Sequence, residues 1–145
     1  MVSIATAIKK TVVPDPSLWL ASRMISHVKF ITIPTRDQDR AVKFWTERAG
    51  FRVLTDQPFN DKQRWIELRV GSSDTRVVLF VFDEQGLKPG MIFNGAFACD
   101  NVEKTYDALV ARGVEFTSAP KKEPWGTFAT FKDPDGNQFV LGTAR

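Results

Sequence analysis

The side chains best suited to chemistry in this 145-residue chain lie close together in one alternating segment. Trp65, Glu67 and Arg69 are each two residues apart, so on a β-strand all three share one face. Charges on an otherwise apolar face are costly to bury unless they are paired or face a ligand. We therefore expect Glu67 and Arg69 either to pair with each other or to contact a bound molecule.

Metal chemistry has few candidate ligands here, because His27 is the only histidine and Cys99 the only cysteine. His27 and Glu67 form the best pair, yet two ligands fall short of the three that a catalytic zinc site uses. His27 lies three residues before Phe30, an odd number, which places the two on opposite faces of a strand unless a bulge intervenes. A surface or strand-edge imidazole is the alternative.

Composition argues for an ordinary folded domain, with 43% hydrophobic and 26% charged residues. The net charge is +3, but the longest basic runs, Lys9-Lys10 and Lys121-Lys122, are too short to follow a phosphate backbone, so no nucleic-acid partner is expected. No apolar run approaches the ~20 residues of a membrane helix, so no membrane partner is expected either. A single cysteine, expected in the core, forms no intrachain disulfide and fits a reducing, cytoplasmic location.

Residues 1–23 differ from the remainder, with one acidic residue, Asp15, inside a Pro-Asp-Pro break. We interpret them as an N-terminal extension that need not be ordered, either a targeting segment or an extended start. Met24 is a natural start for the domain, which we assign to residues 24–145.

Hydrophobic alternation predicts strands over residues 28–35, 51–55, 63–70 and 76–82, and again over 93–99, 114–117, 126–131 and 138–142. A helix is predicted after the first strand of each set. Asp37 caps the first helix and Gly50 ends it; Asp100 caps the second, with Glu103 completing a capping box, and Gly113 ends it.

The second set of elements repeats the first at an offset of 63 residues. Asp37 falls on Asp100, Gly50 on Gly113 and Trp65 on Phe128. The sequence therefore predicts an α+β fold of two tandem βαβββ modules, the first over about 27–83 and the second over about 93–143. Their mixed sheets are expected to curve into a half-open barrel with the helices outside.

Several motifs accompany this organisation. They are Asp37-Gln38-Asp39-Arg40-Ala41, Phe44-Trp45, Gly50-Phe51, Arg64-Trp65-Ile66-Glu67-Leu68, Pro124-Trp125-Gly126 and Phe131-Lys132-Asp133-Pro134-Asp135-Gly136-Asn137. Together they resemble the vicinal oxygen chelate superfamily of glyoxalases, bleomycin-resistance proteins and extradiol dioxygenases, over about Met24 to Ala144. The resemblance implies a homodimer with a site near the subunit contact.

The superfamily usually holds a divalent metal on the first and last strands of each module, where it stabilises an enolate or activates oxygen. Carried over strand by strand, those positions fall on Phe30, Phe80, Phe93 or Asn94, and Val140. Phe and Val have no lone pair to donate, and Asn94 is a weak ligand. We expect no metal cofactor; the alternative is a divalent metal such as Ni, Fe, Mn or Zn held by His27 and Glu67.

Strand alternation divides the side chains between two faces. The face under the helices is predicted to hold Ile31, Ile33, Ile66, Leu68, Leu79, Val81, Phe97, Phe139 and Leu141. The opposite, concave face, with Trp125 at its mouth, gives the predicted ligand-binding set: Phe30, Thr32, Trp65, Glu67, Arg69, Phe80, Asn94, Trp125, Phe128, Thr130 and Val140. Apolar walls with a few polar groups are typical of a small-molecule pocket. A filled core or a dimer interface is the alternative for this face, and a turn-packing role is the alternative for Trp125.

Two functions remain open on this basis. The first is a binding protein that lacks the usual metal ligands and holds a small, partly aromatic or amphipathic molecule, as the bleomycin-resistance branch sequesters drugs without catalysis. The second is a metal-dependent lyase, isomerase or dioxygenase of the same superfamily. The sequence leaves enzymatic activity undecided.

Overall fold

The computed structural model describes residues 24–81, 88–90 and 92–144, with only the backbone of Ile92 and Asn94. The predicted N-terminal extension lies outside these ranges. The first module contains β1 (Phe30–Pro34), α1 (Gln38–Lys43), a π-helical segment (Phe44–Arg48), β2 (Arg52–Pro58), β3 (Arg64–Arg69) and β4 (Arg76–Phe80). The second contains β5 (Ile92–Cys99), α2 (Val102–Ala111), β6 (Glu115–Glu123), β7 (Gly126–Lys132) and β8 (Gln138–Thr143).

The two modules have the same strand order, β1-β4-β3-β2 in one sheet and β5-β8-β7-β6 in the other. In each sheet the first and last strands of the module pair in parallel and the other neighbours are antiparallel. The predicted α+β fold of tandem βαβββ modules is confirmed. Among the described strands none bridges the two sheets, so they do not close into a barrel.

The helix ends follow the predicted chemistry with one correction. The Asp37 carboxylate accepts the backbone N–H of Arg40 at 3.1 Å, as expected for an N-cap. The second helix is capped by Asn101, not Asp100, because the helix begins one residue later and the Asn101 Oδ1 accepts the Lys104 N–H at 2.9 Å. The predicted Asp100–Glu103 capping box is therefore wrong.

Strands β2 and β6 are longer than predicted, ending at Pro58 and Glu123. Strand β2 contains one register shift, after Val53, and β6 contains two, after Phe116 and after Ser118. A bulge inserts an extra residue and reverses the alternation beyond it, so the two-residue pattern stops before the strand does.

One hydrophobic core serves both modules, and Trp45 lies at its centre with none of its surface exposed. The Trp45 ring lies 5.0 Å from Phe51 of its own module and 5.0 Å from Phe139 of the other, centroid to centroid. Phe44, the preceding residue, is also buried, which the wide π-helical turn permits. The predicted inner residues Ile33, Ile66, Leu68, Leu79, Phe139 and Leu141 are buried, and Ile31 and Phe97 pack against them.

A carboxylate from the second module holds the end of β1 in the first. The Asp135 side chain, with none of its surface exposed, accepts hydrogen bonds from the Thr35 hydroxyl at 2.6 Å and the Arg36 backbone N–H at 2.9 Å. Arg40 Nη2 donates to the same carboxylate at 3.1 Å. The Asp-Pro-Asp-Gly turn thus fixes the relative position of the two modules.

Asp133 begins that turn and shapes it from within. Its Oδ1 accepts the backbone N–H groups of Asp135 and Asn137 at 3.0 and 2.9 Å. Burial raises the pKa of Asp133 to about 6, and the hydrogen bonds from Asn137 oppose that shift. Asn137 Nδ2 also donates to the Pro34 carbonyl at 2.8 Å, which adds a second link between the turn and β1.

Within the part of the chain that the structure describes, no helix is long and apolar enough to cross a membrane.

Candidate functional site

The face of the first sheet that points away from the helices, here called the first outer face, carries the densest group of predicted site residues. Thr32 and Glu67 are both cross-strand neighbours of Val78, so the three side chains share this face. Val78 is only 1% exposed although it points away from the core beneath the sheet. The larger side chains around it therefore close over the middle of this face.

Four aromatic rings, Phe30, Phe59, Trp65 and Phe80, form what we call the aromatic cluster. The Trp65 ring centroid lies 5.5 Å from that of Phe30, 5.8 Å from Phe59 and 5.8 Å from Phe80. Phe59 and Phe80 are 5.4 Å apart. Three of these four pairs are edge to face, a favourable geometry for aromatic rings, whereas Phe59 and Trp65 are tilted by 36°. Phe59 is still 54% exposed, so the cluster presents apolar surface to solvent.

Phe59 is missing from the sequence-based set because it follows β2 in a connecting segment, where strand alternation gives no signal. The available hint is its residue type. A phenylalanine flanked by Pro58 and Asn60 stands out in a polar turn.

The Glu67 carboxylate is held by two donors at the base of the aromatic cluster. Trp65 Nε1 donates to Oε2 at 2.7 Å, and Arg76 Nη1 donates to Oε1 at 2.7 Å. Of the two alternatives for Glu67, the structure thus shows an ion pair, but with Arg76 of the neighbouring strand and not with Arg69. The reason is geometric: Arg76 lies two residues before Val78, the direct cross-strand partner of Glu67, and is therefore a diagonal neighbour of Glu67 on the same face.

These contacts change the acidity of Glu67. The Trp65 N–H, followed by the Arg76 guanidinium, lowers the pKa of Glu67 below its ordinary value, against an opposing effect of burial. A carboxylate whose pKa is lowered on folding stabilises the fold above its unfolded-state pKa, and this contribution is lost as the pH falls through the folded-state value.

We therefore expect Glu67→Gln to destabilise the protein at neutral pH, and the difference from wild type to shrink as the pH falls to about 3. Urea unfolding of both proteins at a series of pH values measures it. Asp74→Asn, which neutralises an exposed carboxylate in the turn after β3, is the control and should show no such trend. A Glu67→Gln effect of constant size across this range would mean that the charge of Glu67 contributes nothing to stability.

The outer face of the second sheet brings together three further predicted residues. Thr130 is the cross-strand neighbour of Val140, and Phe128 is that of Gly142. A Cβ added at Gly142 would lie 2.9 Å from the Phe128 ring, so the ring lies directly against that glycine. The side chain of Asn94 is outside the described part.

Trp125 lies apart from both groups, in the connection between β6 and β7. It is 75% exposed, which argues against a role in packing its own turn. Cys99 is half-buried and packs against the core, as expected from its residue type.

The positions of His27 and Glu67 do not support a divalent metal held by these two residues. His27 lies on the surface before β1, where its Nδ1 and the Ser26 hydroxyl are hydrogen-bonded at 2.9 Å. Both Glu67 oxygens already accept hydrogen bonds, and the described residues contain no group of three His, Cys, Asp or Glu side chains placed to hold a metal. Two of the ligand positions that the resemblance implies, Phe30 and Phe80, are rings of the aromatic cluster. This donor chemistry does not fit a divalent ion.

A cleft of about 400 Å³ lies between the two modules. Arg76 and Ile31 line it from the first module, and Phe93 and Phe97 from the second. The sequence could not reveal this cleft, because its walls depend on how the two modules pack together.

Residues 25–141 match the Glyoxalase/Bleomycin resistance protein/Dioxygenase superfamily. The chain belongs to this superfamily. The resemblance that the motifs indicated is therefore confirmed, and the match spans both modules.

This chain covers almost the whole length of three of its relatives. The protein YetH of Bacillus subtilis is 34% identical over 118 residues, which are 81% of this chain and 98% of YetH. A superfamily member from Sphaerobacter thermophilus has a TM-score of 0.77 at 32% identity, covering 83% of this chain and 99% of that one. TnmS3, an antibiotic binding protein from Streptomyces sp. CB03234, has a TM-score of 0.74 at 34% identity, covering 83% and 98%.

Proposed function

We propose that this superfamily member is a binding protein that holds a small, partly aromatic or amphipathic molecule on the first outer face without a metal. The observation that carries the proposal is the aromatic cluster, whose rings are held together yet remain partly exposed above the hydrogen-bonded Glu67. Exposed, contiguous aromatic surface on a folded domain marks a site of interaction.

The cluster suits an aromatic ligand for two physical reasons. Rings buried against Trp65 and Phe80 lose water-exposed apolar area and gain favourable ring contacts. The Trp65 indole is also fixed by its hydrogen bond to Glu67, so little side-chain freedom is lost when a ligand binds.

TnmS3 supports the same reading, since a structural relative at 34% identity is described as an antibiotic binding protein. Phe128, Thr130 and Val140 belong to the outer face of the second sheet. We propose that they line a second part of the site. A homodimer with the site near the subunit contact is part of the proposal and follows from the superfamily resemblance.

A thermal-shift screen with aromatic and amphipathic compounds, antibiotics included, tests the binding function. A ligand present at a hundred times its Kd should add about 2.7 kcal/mol to the free energy of unfolding. We expect Trp65→Ala to weaken binding of each hit about tenfold or more, because it removes the central ring of the cluster. Val110→Ala, the matched control at an exposed apolar residue of α2 outside the predicted site, should bind normally.

Binding that is unchanged in Trp65→Ala would place the ligand elsewhere and contradict the proposal. The same melts with added nickel, cobalt, manganese, iron(II) or zinc address the other function. A stabilisation by metal that His27→Ala abolishes would favour a metal-dependent lyase, isomerase or dioxygenase instead.

A further inference from the structure

Three arginines stand side by side across the first outer face. Arg52 on β2 is the cross-strand neighbour of Arg69 on β3, and Arg69 is that of Arg76 on β4. Phe30 continues the same row on β1. Neighbouring strands lie about 4.8 Å apart, so the three side chains leave the sheet within about 10 Å of one another. We call Arg52, Arg69 and Arg76 the arginine row.

Among the described residues, one carboxylate forms an ion pair with a member of the arginine row. Glu67 binds Arg76 at 2.7 Å, and no described carboxylate lies within ion-pair distance of Arg52 or Arg69. Lys29 adds a further positive charge near Glu67. Two guanidinium groups on this face are therefore not neutralised by described side chains.

Such a row disfavours the folded state when no anion is present. Like charges directly opposite each other on neighbouring strands are destabilising, whereas opposite charges at these positions stabilise a sheet. A bound anion would remove the repulsion. Guanidinium groups suit this task because their planar N–H donors match the oxygens of carboxylate, sulfonate and phosphate groups.

The position of the arginine row relative to the aromatic cluster limits which ligands fit. Trp65 and Arg76 both donate to Glu67, so the rings and the cationic row adjoin through this carboxylate. The Glu67 carboxylate is paired with Arg76 at 2.7 Å and neutralises that end of the row. The favourable place for negative charge is consequently at Arg69 and Arg52, beyond the rings.

We propose that Arg52 and Arg69 bind the anionic group of an aromatic ligand whose ring system contacts the aromatic cluster. The ligand class is thereby narrowed to aromatic molecules carrying a carboxylate, sulfonate or phosphate. The inference rests on the proposed binding function, because it assigns the charge of the molecule held at that same site.

Two fluorescent probes that differ by one sulfonate test it: 1-anilinonaphthalene-8-sulfonate and neutral N-phenyl-1-naphthylamine. Their Kd values are measured with the full chain at about 0.15 M salt, where distant surface charges are screened. We expect wild type to bind the sulfonate about tenfold more tightly than the amine. In Arg52→Gln/Arg69→Gln this preference should fall at least threefold, while the Kd of the neutral amine stays the same.

The double variant Arg48→Gln/Arg112→Gln is the matched control, since it removes two charges at the ends of the helical segments, away from this face. It should keep the preference for the sulfonate. Equal affinity of wild type for the two probes, or an equal loss in the control, would overturn the arginine assignment. If neither probe binds, or if Trp65→Ala leaves both Kd values unchanged, the proposed function itself fails.

Discussion

Replacing Asp135 by alanine is expected to lower the free energy of unfolding by about 3–5 kcal/mol, because three hydrogen bonds to one buried carboxylate, each contributing about 1.5–3 kcal/mol, are lost together. Its side chain has no exposed surface and accepts three hydrogen bonds from the first module. Without it, the Thr35 hydroxyl keeps only the Asp37 carbonyl as an acceptor, at 3.0 Å, and the half-buried Arg36 backbone N–H loses its acceptor, which adds the cost of an unsatisfied donor. Urea unfolding followed by circular dichroism measures the difference.

Asp74→Ala is the appropriate control, because Asp74 is exposed in the turn after β3. A surface substitution of this kind should change stability by no more than about 0.5 kcal/mol. If Asp135→Ala were as mild as the control, the contacts of Asp135 would not be what fixes one module on the other.

Trp45→Ala should be equally damaging, at about 3–5 kcal/mol, because it empties the centre of the shared core. Trp45 contacts rings on both sides, including Phe51 in its own module and Phe97, Phe131 and Phe139 in the other. Its loss removes packing within the first module and between the two modules at once. Chemical unfolding gives the magnitude, and the exposed Trp125→Ala should leave stability nearly unchanged.

Trp45→Phe tests the contribution of the indole N–H separately from that of the aromatic ring. Trp45 Nε1 is buried without a hydrogen-bond partner among the described residues. Phenylalanine removes that unpaired donor, which offsets part of the cavity it creates, so we expect a loss within about 1 kcal/mol. A loss as large as that of Trp45→Ala would show instead that the full indole volume is required.

Much of the fold could be predicted from local patterns, since the two-residue period of a strand sets which side chains face the core. Ile66 and Leu68 are buried while Trp65 and Glu67 share the other face, as alternation predicts. Caps are predicted less well, because adjacent residues of similar chemistry compete; Asn101 takes the place expected of Asp100.

The sequence predicts most of the residues of the candidate site, but not which of them contact each other. Which residue meets Glu67 depends on the register between β3 and β4, and no local pattern encodes that register. Sequence alternation accordingly pointed to Arg69, whereas the structure pairs Glu67 with Arg76. Phe59 was missed because connecting segments have no period. The Asp133–Asn137 motif was identifiable as a turn, but its partners lie about a hundred residues earlier in the chain.

The 100-residue separation between Thr35 and Asp135 has a consequence while the protein is being synthesised. Chains are made N-terminus first at about 5–20 residues per second, so Asp135 is added about 5–20 s after Thr35, its partner 100 residues earlier. Trp45 likewise waits for Phe97, Phe131 and Phe139, which are added 52, 86 and 94 residues after it. The nascent first module therefore exposes the inner face of its sheet until the second is nearly complete. Despite their matching topology, the two modules can complete their shared core only together, and the inner face of the first sheet is the apolar surface that a chaperone would cover until then.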